Sequence, residues 1–254
     1  MKLISLQSGS NGNCIYLESG GVRLLFDAGI SGKQAETRLA ASDIDIRDID
    51  GLIISHDHVD HIGCAGIHHR KFNLPVYVTR RTMEHASHRR NLGRIGELRH
   101  FVAGDTLSFG GIAVETIPTP HDGVDGVAFV VSSGGKRLGI LTDLGHVTDT
   151  LDRVLETLDG VLIEANYDTK MLDTGMYPPL VKQRIKGPGG HLSNLETARL
   201  LKAHSPHLKW ACLGHLSEQN NTPELALATC RDIVGDALPI HMAGRYGASP
   251  PLTL

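Results

Sequence analysis

Six consecutive residues contain four potential metal ligands: His56, His58, Asp60 and His61. The segment directly follows Leu52–Ser55, an apolar run typical of a buried β-strand. Because side chains alternate along an extended chain, we expect His56, His58 and Asp60 to project to one side. His61 would then stand at the turn into a helix. Imidazole and carboxylate groups bind metals, so this pattern predicts a metal site rather than a histidine-rich surface loop.

Three further polar residues stand at the ends of predicted strands elsewhere in the chain. His121, Asp143 and His215 each follow directly on a strand-like run. If these strands end at a common edge of the sheet assembly, the three side chains meet the histidine-rich segment there. Each residue alone is more typical of a structural polar group, whereas the set of seven predicts a metal centre.

Short strands and helices must position these side chains. Apolar or alternating runs predict strands at Lys2–Leu6, Cys14–Leu17, Val22–Phe26, Gly51–Ser55, Val76–Val78, Ala113–Ile117, Val127–Val131, Arg137–Thr142, Gly160–Glu164 and Trp210–Leu213. Helical periodicity predicts helices at Lys33–Ala41, His61–Lys71, Arg80–Leu92, Thr148–Leu158, Asn194–His204 and Pro223–Val234. Gly-Gly pairs beginning at Gly20, Gly110 and Gly134 predict hairpin turns. With no linker or repeat, we predict one mixed α and β domain over residues 1–254.

The composition is that of an ordinary globular protein. Hydrophobic residues make up 41% and charged residues 21% of the chain, which excludes a disordered, charge-driven segment. A net charge of −3 argues against a generally basic nucleic-acid coat. The four cysteines show no C-x-x-C pair, and no apolar run is long enough to span a bilayer. We therefore predict reduced thiols and a cytoplasmic protein without membrane partners.

With these motifs the chain resembles the metallo-β-lactamase superfamily of hydrolases, and within it the YycJ/WalJ-type branch, which is related to tRNase Z and PhnP-type phosphodiesterases. The resemblance runs from about Lys2 to Met242. It is carried by Ser8-Gly-Ser-Asn-Gly-Asn-Cys14, Asp27-Ala-Gly29, the segment from His56 to His61, Thr142-Asp-Leu-Gly145, Glu164-Ala-Asn-Tyr-Asp168 and Gly190-His-Leu-Ser-Asn194. It implies an α+β fold, a four-layer αββα sandwich with a dinuclear metal site at one edge.

The resemblance also implies how the metal ligands divide. The seven residues form three groups: His56, His58 and His121 on one ion, Asp60, His61 and His215 on the second, and Asp143 as the bridge between them. Two cations ~3.5–4 Å apart repel each other, so an anionic bridge and a shared hydroxide are expected between them. Water on such a site ionises near pH ~7, which would supply the nucleophile. Nitrogen-rich ligand sets suit Zn²⁺, and the carboxylates leave Mn²⁺ open.

His191 is the predicted general acid and, with Asp60, a predicted catalytic residue. It precedes Ser193-Asn-Leu-Glu196, an S-x-x-E capping box that opens a helix whose N-terminus favours anions. By resemblance to the phosphodiesterases, His191 contacts the substrate phosphate and protonates the leaving oxygen; a solvated histidine beside a helix cap is the alternative. Asp27 is expected to orient a ligand histidine, or to be a plain turn residue.

Two basic segments could bind a polyanionic substrate. Six arginines and two acidic residues lie between Arg80 and Arg99, and Lys182, Arg184 and Lys186 lead towards His191. Such runs are usually solvated faces, but beside a phosphodiesterase site they are the expected contacts to phosphate. We predict Lys182, Arg184 and Lys186 as substrate-binding residues.

The predicted function is a dinuclear metal-dependent phosphodiesterase. The resemblance implies a nuclease, a 5′-to-3′ exonuclease on DNA. Too few residues separate Asp143 from His191 for the large inserted domain of β-CASP nucleases, and the RNA-clamping arm of tRNase Z is not evident. A small cyclic or nucleotide phosphodiester is therefore an alternative substrate.

Three other classes of protein are considered. Glyoxalase II-type thioester hydrolases share H-x-H-x-D-H, but His191 before a capped helix favours the phosphodiesterase. A flavodiiron-type oxidoreductase is disfavoured because His58 stands where those proteins carry Glu. A metal-bound scaffold or regulator would be favoured by missing ligands, and all seven are present.

Overall fold

The computed structural model describes residues 1–254, and its strands form two seven-stranded sheets. The first sheet contains β1 (Lys2–Gln7), β2 (Cys14–Ser19), β3 (Val22–Phe26), β4 (Gly51–Ile53), β5 (Val76–Thr79), β6 (Leu98–Phe101) and β14 (Leu252–Thr253), in the spatial order β14-β1-β2-β3-β4-β5-β6. The second contains β7 (Thr106–Phe109), β8 (Ile112–Pro118), β9 (Val127–Ser133), β10 (Lys136–Leu141), β11 (Gly160–Glu164), β12 (Trp210–Gly214) and β13 (Ile240–Met242), in the order β13-β12-β11-β10-β9-β8-β7. Strands β3 to β6 and β10 to β13 run parallel, and the other neighbours are antiparallel.

The structure contains nine α-helices, most of which pack on the outer faces of the two sheets. They are α1 (Gly32–Ala40), α2 (Val59–Ile62), α3 (Ala65–Phe72), α4 (Arg80–Arg89), α5 (Asp149–Leu155), α6 (Thr169–Thr174), α7 (Pro179–Lys186), α8 (Asn194–His204) and α9 (Pro223–Val234). One apolar cluster joins the first sheet to α1, α3 and α4, and another joins the second sheet to α5, α8 and α9. A third lies between the sheets, where the rings of Phe26 and Phe129 have centroids 4.9 Å apart. The layers are therefore helix, sheet, sheet and helix, and the predicted α+β sandwich is confirmed.

The hairpins turn at the predicted glycine pairs. Gly20 and Gly21 join β2 to β3 with φ of 57° and 81°, and Gly134 and Gly135 join β9 to β10 with φ of 57° and 72°. Two-residue turns with both φ values positive match the twist of the flanking strands, and glycine adopts them without steric cost. The prediction of hairpins at these positions is confirmed.

The predicted helix His61–Lys71 is wrong in its extent, because the chain forms two helices there. Helix α2 ends at Ile62 and α3 begins at Ala65. The backbone N–H of Cys64 donates to the carbonyl of Ala28 at 2.8 Å, a long-range bond that competes with a continuous helix. The expected extended path is also wrong: β4 ends at Ile53, and Asp60 lies in the first turn of α2.

The four strands that the sequence patterns do not predict, β6, β7, β13 and β14, all lie at sheet edges. Edge strands are short and carry polar residues, so their alternation is weak. Helices α6 and α7 were also not predicted; α7 buries none of its residues, so it lacks an apolar stripe.

No helix combines the length and the apolar character that crossing a membrane requires. That residues 1–254 form one domain stays a prediction, as does the cytoplasmic location.

Candidate metal centre and active site

The predicted site residues follow the carboxyl ends of strands from both sheets. Asp27 follows β3 and His56 follows β4 in the first sheet. In the second sheet, His121 follows β8, Asp143 follows β10 and His215 follows β12. Because parallel strands end at the same edge of a sheet, each sheet delivers its residues to one side, and the two edges face each other across the site. The convergence expected from the sequence is therefore present.

Three of these residues adopt a left-handed backbone conformation. The φ angles are 64° at Asp27, 59° at Asp143 and 53° at His215. This conformation costs a non-glycine residue about 1–2 kcal/mol, and such strain concentrates at functional sites. Each residue turns the chain sharply at the end of its strand, which directs its side chain into the cluster. The sequence contains no signal for this feature, because glycine is the usual residue at such positions.

His56, His58 and His121 form the first ligand group. Their ligand atoms lie within 4.8 Å of one another. The ring centroids of His56 and His58 are 4.6 Å apart, and His121 Nε2 lies 3.3 Å from His58 Nδ1. Three converging imidazoles suit a divalent transition ion such as zinc.

Asp60, His61 and His215 form the second group, whose ligand atoms also lie within 4.8 Å of one another. Asp60 Oδ2 is 3.5 Å from both His61 Nε2 and His215 Nε2. Although Asp60 lies on α2 rather than on an extended segment, its carboxylate still reaches the cluster.

Asp143 lies between the two groups. Its carboxylate oxygens are 3.3 Å from His61 Nε2, 3.4 Å from His215 Nε2 and 3.6 Å from His121 Nε2. One carboxylate thus contacts imidazoles from both sets, which is the position that a bridging ligand requires.

The buried donor atoms fit divalent cations. His56 Nε2 and Asp143 Oδ2 are buried, and neither has a hydrogen-bond partner in the protein. An orphaned buried polar atom is costly, and bound metal ions would satisfy both atoms. Burial and the neighbouring imidazoles lower the pKa of His56 well below its usual value, which keeps the ring neutral as a ligand must be.

The carboxylates of the cluster stay ionised. Burial alone would raise the pKa of Asp143, but the surrounding imidazoles, His215 and His61 foremost, outweigh it and hold the pKa well below the usual range. The pKa of Asp60 is likewise lowered, because His61 and His215 outweigh the effect of burial. The cluster therefore offers anionic oxygens beside its imidazole nitrogens.

Asp27 contacts the ligand His61 on the side away from the cluster. Its Oδ2 lies 2.7 Å from His61 Nδ1, and it also accepts hydrogen bonds from the backbone N–H and the hydroxyl of Ser55. Burial would lower the pKa of His61, but Asp143, Asp27 and Asp60 outweigh it and raise the pKa well above the usual value. His61 would therefore release a proton on binding a metal, and Asp27 sits where it can orient the ring.

His191 lies beside the cluster, against Glu164. Its Nδ1 is 3.2 Å from Glu164 Oε2 and 4.0 Å from Asp143 Oδ1, and its ring stacks on His215 with centroids 5.3 Å apart. Burial would lower the pKa of His191, but the charge of Glu164 outweighs it and raises the pKa. The predicted capping box is confirmed: Ser193 and Glu196 bond reciprocally at the start of α8.

Glu164 is a site residue that the sequence reasoning did not single out. Its buried carboxylate accepts backbone N–H bonds from Asp143 at 3.0 Å, Leu144 at 3.0 Å and Leu192 at 2.7 Å. One side chain thus holds the loops that carry Asp143 and His191. Its place at the end of β11, like the other site residues, is the signal that could have identified it.

Asn13 makes a second supporting contact, from the loop of small and amide residues between Ser8 and Asn13 that carries part of the resemblance. Its Nδ2 lies 3.0 Å from His61 Nε2 and 3.4 Å from Asp60 Oδ2. In the same loop, the hydroxyl of Ser8 accepts a hydrogen bond from the backbone N–H of His215 at 2.8 Å. The loop between β1 and β2 therefore packs against the second ligand group.

The predicted substrate residues separate in the structure. Arg184 lines a cleft beside His58 and Asp60. Lys182 donates to the carbonyl of Asp173, and Lys186 pairs with the Asp173 carboxylate, so both point towards α6. The substrate role of all three stays a prediction.

Comparison with known proteins places this geometry in a family. The family described as "Beta-lactamase superfamily domain" matches residues 22–212. The chain belongs to this superfamily. Within it, the chain is 38% identical over 227 residues to the exodeoxyribonuclease WalJ of Streptococcus pneumoniae, covering 88% of this chain and 84% of WalJ. It is 34% identical over 247 residues to the exodeoxyribonuclease YycJ of Bacillus anthracis, covering 93% of this chain and 92% of YycJ. The predicted YycJ/WalJ-like resemblance is confirmed.

The fold comparison agrees with the sequence comparison. The metallo-beta-lactamase fold protein YhfI from Bacillus subtilis superposes with a TM-score of 0.76 at 17% identity, covering 98% of this chain and 99% of YhfI. At 17% identity this match is evidence for a shared fold only. The superfamily fold implies divalent metal ions, in keeping with the clustered histidines and aspartates.

Proposed function

We propose that this protein is a metal-dependent phosphodiesterase that removes nucleotides from DNA ends in the 5′-to-3′ direction. The observation that carries the proposal is the meeting of two three-residue ligand groups at Asp143, with His191 beside them. Two relatives that match most of this chain are named exodeoxyribonucleases, which supports DNA as the substrate.

Two divalent ions held by the ligand groups would lower the pKa of a water molecule and stabilise the charge that develops on phosphorus. Five of the seven proposed ligands are histidines, which favours Zn²⁺, and the two aspartates make Mn²⁺ the alternative.

His191 acts as the general acid in this proposal. The contact of Nδ1 with Glu164 leaves Nε2 as the nitrogen that can donate a proton to the leaving oxygen. The raised pKa of His191 keeps this proton on the ring near neutral pH. Glu164 orients the ring and, through the Asp143 and Leu192 backbone, fixes the distance between the acid and the ligand cluster.

Asp60 takes part as a carboxylate ligand on the second group, held by α2. The lowered pKa of Asp60 keeps its carboxylate ionised while His191 transfers a proton. The left-handed turns at Asp143 and His215 keep the ligand atoms in place before substrate arrives, so little reorganisation is needed.

End-labelled DNA tests the proposal directly. Linear duplex and single-stranded DNA, labelled at the 5′ or the 3′ end, and a covalently closed circle are incubated with the metal-loaded protein. We expect immediate release of labelled mononucleotide from the 5′ label, late release from the 3′ label, and an intact circle.

Three outcomes would contradict the proposal. Nicking of the circle would make the enzyme an endonuclease. Hydrolysis of S-lactoylglutathione without hydrolysis of DNA or of bis(p-nitrophenyl) phosphate would identify a thioester hydrolase instead. Activity on cyclic or nucleotide diesters but not on DNA would favour the small-substrate alternative.

A further inference from the structure

A cleft of about 390 Å³ opens beside the first ligand group. Its lining includes His58 and Asp60 together with three arginines, Arg89, Arg90 and Arg184. Arg89 is the last residue of α4 and Arg90 its C-cap, whereas Arg184 comes from α7. The cleft volume lies in the range of small-molecule sites, and three of its ten lining residues are arginines.

Two acidic groups near the cleft, Asp57 and Asp122, are already paired within the protein, and a third, Asp60, is a proposed metal ligand. Asp57 Oδ1 accepts the backbone N–H of Val124 at 2.7 Å, and its Oδ2 lies 2.5 Å from His85 Nδ1. Asp122 Oδ2 pairs with Arg184 Nε at 2.5 Å. These contacts leave little negative charge to oppose an anion in the cleft.

Arg89 and Arg90 have free hydrogen-bond donors. The Arg89 guanidinium is 4.0 Å from Asp57, and its side chain is 65% exposed. The Arg90 side chain is exposed and makes no hydrogen bond or ion pair; only its backbone N–H is used, donating to Ala86. Guanidinium groups bind phosphate oxygens in bidentate pairs, so two free ones facing a cleft favour a phosphate ligand.

We propose that Arg89 and Arg90 bind a phosphate group of the substrate strand one nucleotide away from the bond that is cleaved. The inference rests on the proposed function and names the substrate feature that the enzyme selects. The cleft runs from His58 and Asp60 to the two arginines. A strand whose scissile phosphate lies at the ligand cluster therefore extends its neighbouring phosphate towards them.

Three thymidine dinucleotides test the inference: d(TpT), d(pTpT) and d(TpTp). With the metal-loaded wild-type protein we expect kcat/KM for one of the two phosphorylated dinucleotides to exceed that for d(TpT) by ~10–100-fold, the range of charge-assisted hydrogen bonds. In the double variant Arg89→Ala/Arg90→Ala the ratio of these two kcat/KM values falls towards one. Comparison of d(pTpT) with d(TpTp) shows whether the cleft lies on the 5′ or the 3′ side of the cleaved bond.

Arg80→Ala is the matched control. Arg80 is exposed on the same helix, has no side-chain partner, and does not line the cleft. It lies ~13 Å from Arg89 along the helix axis at 1.5 Å per residue. We expect the Arg80→Ala variant to keep the phosphate preference of the wild type, since the positive charge that it loses lies at a distance from the cleft.

The outcomes separate this inference from the proposed function. Hydrolysis of d(TpT) by the wild type with no preference for either phosphorylated form would overturn the inference alone. An undiminished preference in the double variant, or an equal loss in Arg80→Ala, would also overturn it. No hydrolysis of any of the three dinucleotides or of DNA would overturn the proposed function as well.

Discussion

At the scale of single residues, the site depends on polar side chains whose charges are set by their neighbours. Asp143 is buried, yet its pKa is lowered because imidazoles from both ligand groups surround it. His191 lies at the border of the same cluster with a raised pKa, because Glu164 stands against its ring. One buried cluster thus holds an ionised carboxylate and an imidazole whose protonated form is favoured.

Replacement of His191 tests its assignment as the acid rather than a ligand. We expect His191→Ala to keep the wild-type metal content while turnover falls by ~10²–10⁴-fold, the usual contribution of an acid–base group. Metal analysis and steady-state rates on the same sample measure both quantities. His207→Ala, which removes an exposed histidine, should change neither. Loss of metal in His191→Ala would make His191 a ligand.

Glu164 is expected to matter for stability because its carboxylate accepts three backbone N–H bonds in the interior. Glu164→Gln replaces one acceptor oxygen with an N–H₂ donor that faces these donors. We expect the free energy of unfolding to fall by ~2–4 kcal/mol, in line with lost bonds to a buried charge.

Urea unfolding measures this change, and Glu84→Gln is the control. The Glu84 carboxylate is exposed and without a hydrogen-bond partner, so its replacement should stay within ~0.5 kcal/mol of wild type. Equal stability of the two variants would show that Glu164 does not hold the loops.

Residue types and spacing predicted which side chains meet, and they predicted Asp27 as a residue that orients a histidine of the cluster, but they did not predict the role of Glu164. The segment from His56 to His61 and the strand-end positions of His121, Asp143 and His215 are visible in the sequence. The role of Glu164 is not visible there, because its partners are backbone groups that are distant in the chain. A buried carboxylate with three backbone donors is a product of tertiary structure.

At the scale of elements, the second ligand group depends on a close backbone crossing. Asn13 donates its backbone N–H to the carbonyl of Asp60 at 2.7 Å, and Gly29 donates to the carbonyl of Asn13 at 2.8 Å. A Cβ at Gly29 would lie 1.7 Å from the Asp60 carbonyl oxygen. Only glycine lets the turn after β3 pass so close to α2, which carries Asp60 and His61.

Gly29→Ala should therefore displace α2 and weaken metal binding. We expect a loss of stability of at least ~1–3 kcal/mol, as for other overpacked sites, together with a metal content below that of wild type. Thermal unfolding and metal analysis measure the two effects. Gly111→Ala is the control, because a Cβ there meets no atom within 4 Å. A Gly29→Ala variant with normal metal content would contradict the close crossing.

Elements with strong patterns were predicted within a residue or two, and elements shaped by tertiary contacts were not. Helices α8 and α9 have the predicted bounds, since an apolar face and a capping residue define each one. The break between α2 and α3 was not predicted, because the backbone hydrogen bond from Cys64 to Ala28 is not visible in the local sequence. The edge strands β6, β7, β13 and β14 were not predicted, because apolar and polar residues alternate only weakly in edge strands.

At the scale of the whole molecule, the site joins the two sheets. The segment after β4 of the first sheet supplies four of the proposed ligands, and strands of the second sheet supply His121, Asp143 and His215. The apolar cluster between the sheets is the other connection. Bound ions would therefore stabilise the packing of one sheet on the other.

Chelation is expected to lower the melting temperature. A ligand present at 100 times its dissociation constant stabilises the native state by ~2.7 kcal/mol. For a chain of this size that corresponds to a fall of ~5–10 °C on metal removal, which readdition of Zn²⁺ or Mn²⁺ should reverse. Asp143→Asn should respond much less to the chelator. An identical melting temperature with and without metal in the wild type would argue against ions joining the sheets.

The most direct test of the account follows metal content and DNA degradation together. Chelated protein is titrated with Zn²⁺ or Mn²⁺, and bound metal and the rate of mononucleotide release from 5′-labelled DNA are measured on the same samples. The account predicts that the rate rises with bound metal and reaches its plateau at two ions per chain. Full activity in protein that binds no metal would contradict it.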